Sequence, residues 1–279
     1  MADPGVGSPA PTPLAGGLVQ LVPASLVDPR ALYEVAYASG AARWWRTRGQ
    51  TVSLERFASL VTESGDASFA VFDLRHGSDL AGYLGLHSQD LLSRTACLSA
   101  FFDQRRVESQ VVAAASFRCF ATYVFQAVGV RKLVLEVSGS RCAYVLRASE
   151  RSSVLHHEGT LRSHTRIGAH LEDLHLFAVF ADEYLVRYGP GRTDAPALAP
   201  AVDAFDVVCA AIRSVLGDVA ITGGHRLVDD LALDSLALLE VIDLLESANP
   251  GAFDVVDELA TVQDLVHTIE RRAELGDRN

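Results

Sequence analysis

The stretch Tyr123-Val-Phe-Gln-Ala-Val-Gly-Val-Arg-Lys-Leu-Val-Leu-Glu-Val137 decides the fold of most of the chain. Its second half, Lys132–Val137, is a short apolar run that predicts a buried β-strand. Its first half closes the segment Val107–Ala127, whose length and many small residues predict one long helix. A long helix that leads into a buried strand predicts an α/β domain in which helices pack on a sheet.

Elements on both sides of this stretch extend the sheet. Asp28 and Ser53 stand where helix caps belong, and Pro29 suits the first turn of a helix. The last two predicted strands form a hairpin around Gly168. The predicted strands are Leu18–Val22, Ser68–Leu74, Leu80–Leu86, Ala96–Phe102, Thr160–Arg166 and Leu174–Phe180, and the further predicted helices are Pro29–Ala38, Leu54–Val61 and Arg141–Ala148.

This order of elements, with these residues, resembles the GNAT acetyltransferase superfamily over about residues 18–188. The run from Tyr123 to Val137 carries the resemblance, and shorter matches follow at Glu158–Arg162, Asp173–Phe177 and Asp182–Tyr184. The resemblance implies a mixed sheet with helices packed on it. It also implies a cleft for an acyl thioester, with acyl-CoA as the usual donor.

The resemblance further implies where the phosphates of a donor lie. The superfamily carries an Arg/Gln-x-x-Gly-x-Gly/Ala motif before its long helix, and the glycines let backbone N–H groups approach the CoA diphosphate. Here the motif falls on Arg106–Val111, where Ser109 and Val111 replace the glycines. Three interpretations fit this change. The domain binds CoA in a shifted manner, it has lost catalysis, or its donor has one phosphate and no adenosine. In the last case we expect Arg105 and Arg106 to meet that phosphate or an acidic partner helix.

Acyl transfer needs a base for the acceptor, an acid near the departing thiolate and donors for the carbonyl oxygen. The superfamily often takes the acid from a tyrosine on the helix after the buried strand, which implies Tyr144 here. His87 follows the strand Leu80–Leu86 and is the candidate base, although a histidine at a strand end is more often an ordinary surface residue. The histidines between His156 and His175 lack the spacing of a metal site, so no metal is expected.

A second domain is predicted after a linker. Residues 189–201 are rich in proline and glycine, which is typical of a semi-extended connection. Residues 202–277 show helical periodicity around Phe205–Val215, after Ser235 and from Thr261 to Ala273, with a short helix near Asp254–Leu259. These segments predict a small all-α bundle of three to four helices.

The segment Leu227-Val-Asp-Asp-Leu-Ala-Leu-Asp-Ser-Leu236 brings an Asp-Ser pair to the start of one of these helices. Asp234 and Ser235 stand where capping residues belong, and a helix N-terminus favours a phosphate on the serine oxygen. The segment resembles the acyl carrier protein family, which implies a covalent 4′-phosphopantetheine arm on Ser235. The implied partners are a phosphopantetheinyl transferase and assembly-line enzymes that dock on the acidic helix after Ser235.

The net charge of −11 lies entirely in the C-terminal part. Residues 202–279 hold 16 acidic and 5 basic residues, whereas the preceding 201 residues hold 19 of each. Such an acidic domain favours basic patches on protein partners and disfavours nucleic acid and anionic membranes. The scattered cysteines and the lack of an apolar run of ~20 residues favour a cytoplasmic protein. The Pro/Gly-rich residues 1–17 predict a disordered leader.

Together these features predict an acyltransferase domain fused to an acyl carrier domain, in polyketide or related specialised-metabolite biosynthesis. The acyl group passes from acyl-CoA to the arm, or from the arm to an amine or hydroxyl acceptor. Two alternatives stay open. The front domain is catalytically inactive and serves only for docking, or the protein is a loading module that decarboxylates a malonyl unit.

Overall fold

The computed structural model describes residues 14–16, 18–63, 67–75, 77–105, 109–189, 203–231, 233, 235–248 and 259–276. Its larger part is a mixed sheet of eight strands. The strands are β1 (Leu14–Gly16), β2 (Val19–Pro23), β3 (Ser68–Asp73), β4 (Asp79–Asp90), β5 (Thr95–Phe102), β6 (Lys132–Ser138), β7 (Leu155–Ile167) and β8 (His170–Phe180). The helices are α1 (Pro29–Ala38), α2 (Leu54–Thr62), α3 (Ser109–Tyr123), α4 (Gly139–Arg151), α5 (Ala181–Tyr188), α6 (Ala204–Leu216), α7 (Ser235–Ala248) and α8 (Val262–Gly276).

The strand order in the sheet is β1-β2-β3-β4-β5-β6-β8-β7. All neighbouring pairs are antiparallel except β5 and β6, which run parallel. Parallel neighbours need a long crossover connection, usually a helix. Here α3 supplies it, which explains why the longest helical pattern of the front domain lies between these two strands.

The two faces of the sheet bury two separate apolar clusters. Alternation along β4 sends Leu84 and Leu86 into the core beneath α3, and it sends Tyr83 to the opposite face. On that opposite face, the rings of Trp45, Phe57 and Phe101 pack around Tyr83 and against α1 and α2. The sheet therefore has a face beneath α3 and a Tyr83 face, and each buries its own apolar cluster.

Local signals place the first two helices where the sequence predicts them. Asp28 accepts a hydrogen bond from the Arg30 N–H, and Ser53 accepts one from the Arg56 N–H. Both are capping bonds that satisfy otherwise unpaired N–H groups of a first helical turn. The helix α5 after the final hairpin was not predicted.

The long helix differs slightly from its predicted form. After Tyr123 it widens into a π-helical turn, Val124–Val128, and ends at Gly129 in a left-handed conformation. Among the described residues, Val111–Val128 is by length and composition long and apolar enough to cross a bilayer, contrary to the sequence expectation. Half of this segment is buried inside the protein, and its small residues pack on the sheet, as in the core helix of an α/β domain.

The leader predicted as disordered ends earlier than expected. Leu14–Gly16 pairs with β2 as an edge strand, and Leu14 packs against the core beneath α3. Backbone pairing and one apolar contact thus order a segment that its composition did not mark as a strand. The predicted linker beyond Gly189 and residues 254–258 of the predicted short helix lie outside the described residues.

Three helices, α6, α7 and α8, form a separate apolar core in the C-terminal part. Asp203 caps α6 by accepting from the Phe205 N–H, and Asp264 accepts from the Thr261 N–H and hydroxyl at the start of α8. The core includes Val208, Ile212, Leu238, Ile242, Leu245 and Leu265. The predicted amphipathic helices therefore bury their apolar faces against one another.

Close packing of β4 on β5 makes a first prediction. A Cβ added at Gly82 would lie 2.4 Å from the carbonyl oxygen of Phe101, which is backbone and cannot rotate away. We expect Gly82→Ala to lower the free energy of unfolding by about 1–3 kcal/mol, measured by urea denaturation. Gly159→Ala is the matched control, because a Cβ there meets nothing within 4 Å. Equal effects of the two substitutions would contradict the close approach.

Candidate functional site

The sheet opens into a cleft between β5 and β6. The two strands pair over three positions only, Thr95 with Lys132, Ala96 with Leu133 and Cys97 with Val134. Beyond Cys97, β5 stays bonded to β4, and beyond Val134, β6 stays bonded to β8. The two described strand ends therefore diverge and present backbone edges to each other. In open α/β sheets, ligands bind at the carboxyl ends of strands in crevices of this kind.

Polar and aromatic side chains bridge the mouth of this cleft. Gln104 follows the end of β5, and Arg141 lies in the first turn of α4, directly after β6. The Arg141 Nη2 donates to Gln104 Oε1 at 3.0 Å, and the guanidinium lies 5.6 Å from the ring centroid of Trp44. The contact links the two strand ends across the opening.

A row of polar side chains crosses the point where the strands part. His87 on β4 pairs with Cys97 on β5, and Cys97 pairs with Val134 on β6. Directly opposed residues share a face of the sheet, as do residues two apart along a strand. His87, Cys97 and Glu136 thus lie on the Tyr83 face of the sheet, where the cleft begins.

Burial and charge keep His87 neutral near pH 7. Burial is the largest cause that lowers its pKa, and the positive charge of Arg46 lowers it further. Glu136, Glu63 and a hydrogen bond to the backbone of Leu98 act in the opposite direction without reversing the shift. The His87 Nδ1 lies 3.1 Å from the Ser88 hydroxyl. A neutral imidazole can accept a proton, as a base must.

The neighbouring thiol is held in its protonated form. Burial, and then the negative charge of Glu136, raise the pKa of Cys97 above its ordinary value. A protonated thiol is a weak nucleophile, because the thiolate is the reactive form. Two residues further along β5, the buried Ser99 accepts a 2.7 Å hydrogen bond from the indole N–H of Trp45. This bond anchors the ring of Trp45 at the floor of the site.

The predicted phosphate loop is only partly within the described residues. The guanidinium of Arg105 makes a two-point contact with Asp103, from Nη2 at 2.6 Å and from Nε at 2.8 Å, so its charge is already paired with a carboxylate of the protein. Arg106 lies outside the described residues, and of Ser109 only its place as the first residue of α3 is described. Val111 is buried at 6% exposure in the core of the C-terminal helices. Its side chain thus packs against the C-terminal helices.

The other predicted residues fall at two separate places. Tyr144 lies in the second turn of α4, on the helix that follows β6. Ser235 is the first residue of α7, and Asp234 lies outside the described residues. His87 and the helix carrying Tyr144 thus belong to the cleft in the sheet, whereas Ser235 belongs to the C-terminal helices.

Sequence reasoning missed the charged neighbours of His87. Arg46 and Glu136 come from a loop and from the buried strand, about 40 and 50 residues away in the chain. No local pattern relates them to His87, and only the register of β4, β5 and β6 brings the strand residues together. The alternation of Lys132–Val137 does place Glu136 on the opposite face from Leu133 and Leu135, which is the signal that could have found it.

The structure also brings two histidines together that are 18 residues apart. The His175 Nδ1 lies 3.3 Å from His157 Nε2 and 3.0 Å from the Thr160 hydroxyl. A bulge in β7 between His157 and Gly159 places His157 and Thr160 beside the same neighbour on β8. Across the part of the chain that the structure describes, no group of three or more His, Cys, Asp or Glu side chains is arranged to hold a metal ion.

Solved structures share the fold of the front domain. A GCN5-related N-acetyltransferase from Brucella melitensis matches with a TM-score of 0.50 and 21% identity, over 63% of this chain and 81% of its own. A GNAT-family acetyltransferase from Bacillus anthracis matches with a TM-score of 0.50 and 14% identity, over 61% of this chain and 99% of its own. About 60% of the chain therefore has the GNAT acetyltransferase fold. No family model and no curated protein matches the chain.

The environment of His87 makes a second prediction. Because burial and Arg46 lower the folded pKa, the unfolded chain binds the proton more readily, and the protein loses stability as pH falls below about 6.5. We expect Arg46→Gln to raise the pKa of His87 in an NMR titration. Arg30→Gln, an exposed arginine on α1, is the matched control. An unchanged His87 titration in Arg46→Gln would show that the guanidinium has no effect on the ring.

Proposed function

We propose that residues 18–188 form an acyltransferase domain that moves an acyl group to or from a pantetheine thiol attached to Ser235. The observation that carries the proposal is the divergence of β5 and β6 beside a neutral His87. The GNAT fold supports acyl transfer in general. The Asp234-Ser235-Leu236 segment supports the carrier and, with it, an assembly line for polyketides or related specialised metabolites as the setting.

The cleft suits an extended donor with amide groups. The edges of β5 beyond Cys97 and of β6 beyond Val134 carry backbone N–H and C=O groups that face away from their remaining strand partners. An extended chain can add to such an edge through main-chain hydrogen bonds. 4′-Phosphopantetheine is a chain of this kind, and its thiol supplies the thioester that holds the acyl group. Acyl-CoA contains the same arm and is the alternative source of the acyl group.

The start of α7 suits the phosphate of the arm. A phosphate on the Ser235 oxygen would stand at the N-terminus of a helix of 14 residues. The free N–H groups and the positive end of the helix dipole favour an anion there. Asp234 precedes Ser235 in the position of a capping residue.

The residues around the cleft support a simple division of roles. The neutral His87 takes a proton from the acceptor, which is the arm thiol, an amine or a hydroxyl, as that acceptor attacks the thioester carbonyl. The carboxylate of Glu136, whose charge acts on His87, stabilises the imidazolium that results. The carbon–sulfur bond breaks as the new acyl bond forms, and the thiolate takes its proton from Tyr144, the role that the superfamily resemblance implies.

One observation favours a second candidate, a front domain that serves only for docking. The position where the superfamily has glycine or alanine is Val111, and its side chain is buried against the C-terminal helices. A diphosphate cannot approach the backbone closely beside a β-branched side chain in this place. In this second candidate the cleft binds no acyl thioester at all.

Intact mass after treatment with a phosphopantetheinyl transferase and CoA tests the site of the arm. We expect one arm on the wild type and on Ser214→Ala, and none on Ser235→Ala. Ser214 is a suitable control because it lies in α6 of the same helical unit. An unmodified wild-type chain would overturn the carrier assignment. The docking candidate would be favoured if protein that carries the arm takes no acyl group from any acyl-CoA and passes none to amines.

The role of His87 makes a further prediction. We expect His87→Gln to slow acyl transfer by about 10²-fold or more, because a positioned base contributes about 10²–10⁴ to the rate. Addition of the arm to Ser235 should be unchanged. His164→Gln, an exposed histidine on β7, is the matched control. A transfer rate equal to the wild type in quenched-flow mass spectrometry would remove His87 from the mechanism.

A further inference from the structure

The C-terminal helices pack on the front domain along its long helix α3. Val111 is at 6% exposure, and among the described residues it is the single member of the front domain in a buried cluster otherwise formed by residues of 208–269. Leu18, just before β2, packs against this cluster and also against the core beneath α3. The helix α7 lies along α3, so the contact joins the helix that begins at Ser235 to the helix that follows β5.

An ion pair closes the same contact at a second point. The Arg187 Nη2 donates to Glu240 Oε2 at 3.0 Å. The same guanidinium also donates to two hydroxyl groups of the front domain. Its Nε donates to Tyr188 at 3.1 Å, and its Nη1 donates to Ser153 at 3.2 Å. The same guanidinium lies 5.5 Å from the ring centroid of Tyr188. The front domain therefore holds Arg187 in place, and Glu240 completes an arrangement that needs little further ordering.

One part of the contact lies close in the chain to β5, the strand that borders the cleft. Val111 is in the first turn of α3, and α3 begins seven residues after β5 ends at Phe102. Ser235 is five residues before Glu240, which is about 7.5 Å along the helix axis. The bulky Val111 has a role here: at a position where a diphosphate needs a small residue, it supplies an apolar contact for the C-terminal helices.

We propose that Leu18, Val111 and the Arg187–Glu240 pair form a docking site that holds the Ser235 helices on their own front domain, so that acyl transfer takes place within one chain. The partner recognised is the chain's own acidic helical unit. The proposal rests on the proposed function for the arm and the acyl group, whereas the docking itself is independent of both.

Mixing two defective chains tests transfer within one chain. Ser235→Ala keeps the front domain but cannot carry an arm, and His87→Gln carries an arm but lacks the proposed base. We expect the mixture to acylate the armed chain at least tenfold more slowly than the wild type acylates itself. The wild-type rate should not change when the protein concentration changes. A mixture as fast as the wild type, with a rate proportional to protein concentration, would overturn the proposal.

Charge exchange at the ion pair tests the docking site. We expect Arg187→Glu and Glu240→Arg each to slow self-acylation about tenfold at low protein concentration and to speed amide hydrogen exchange in α7 and the first half of α3. The double variant should restore both measurements. Glu270→Arg, an equal charge reversal on an exposed residue of α8, should change neither. Unchanged exchange in both single reversals would overturn the docking site.

The two proposals fail in different ways. A wild-type chain that takes no arm, or takes an arm but no acyl group, removes the proposed function, and the exchange measurement still decides whether the helices dock. An armed chain that acylates itself with unchanged exchange in the charge reversals keeps the proposed function and removes the docking site. Self-acylation by the His87→Gln variant would show only that His87 is not the base. The Tyr144→Phe variant would then take the place of His87→Gln in the mixing experiment.

Discussion

The hydrogen-bond ladder between β5 and β6 lasts for three residue pairs, and the rest of the site depends on this limit. Each strand is held on its outer side, β5 by β4 and β6 by β8, so neither can turn to pair further with the other. The divergence is thus built into a continuous sheet and needs no flexible element. It leaves two rows of backbone groups facing a cleft, where an extended ligand can gain main-chain hydrogen bonds.

The packing of the two faces explains why the polar groups collect on one side. The face beneath α3 is closed by apolar side chains, whereas the opposite face holds the rings around Tyr83 and, at the fork, His87, Cys97 and Glu136. A charge near the fork acts through partly buried surroundings, where it is screened less than in water. This is why Glu136 acts on both His87 and Cys97, and why burial leaves the imidazole neutral and the thiol protonated.

The helix α3 is used on two sides. One side packs on the sheet and allows β5 and β6 to run parallel, and its first turn also joins the core of the C-terminal helices through Val111. The β-branched side chain of Val111 gives an apolar contact that a glycine at this position would lack. Apolar packing is not directional, so the ion pair between Arg187 and Glu240 fixes the relative position of the two surfaces in this contact.

The sequence by itself determined the elements and their order. The apolar run after Gly129, the small residues of the long helix, and the caps at Asp28 and Ser53 are local signals, and the structure has a strand and helices at these places. Composition likewise separated an acidic helical part from a neutral α/β part. Only the tertiary structure decided the extent of the β5–β6 ladder, the grouping of Arg46 and Glu136 around His87, and the burial of Val111. These features depend on strand register and on contacts between residues far apart in the chain, which local periodicity does not encode.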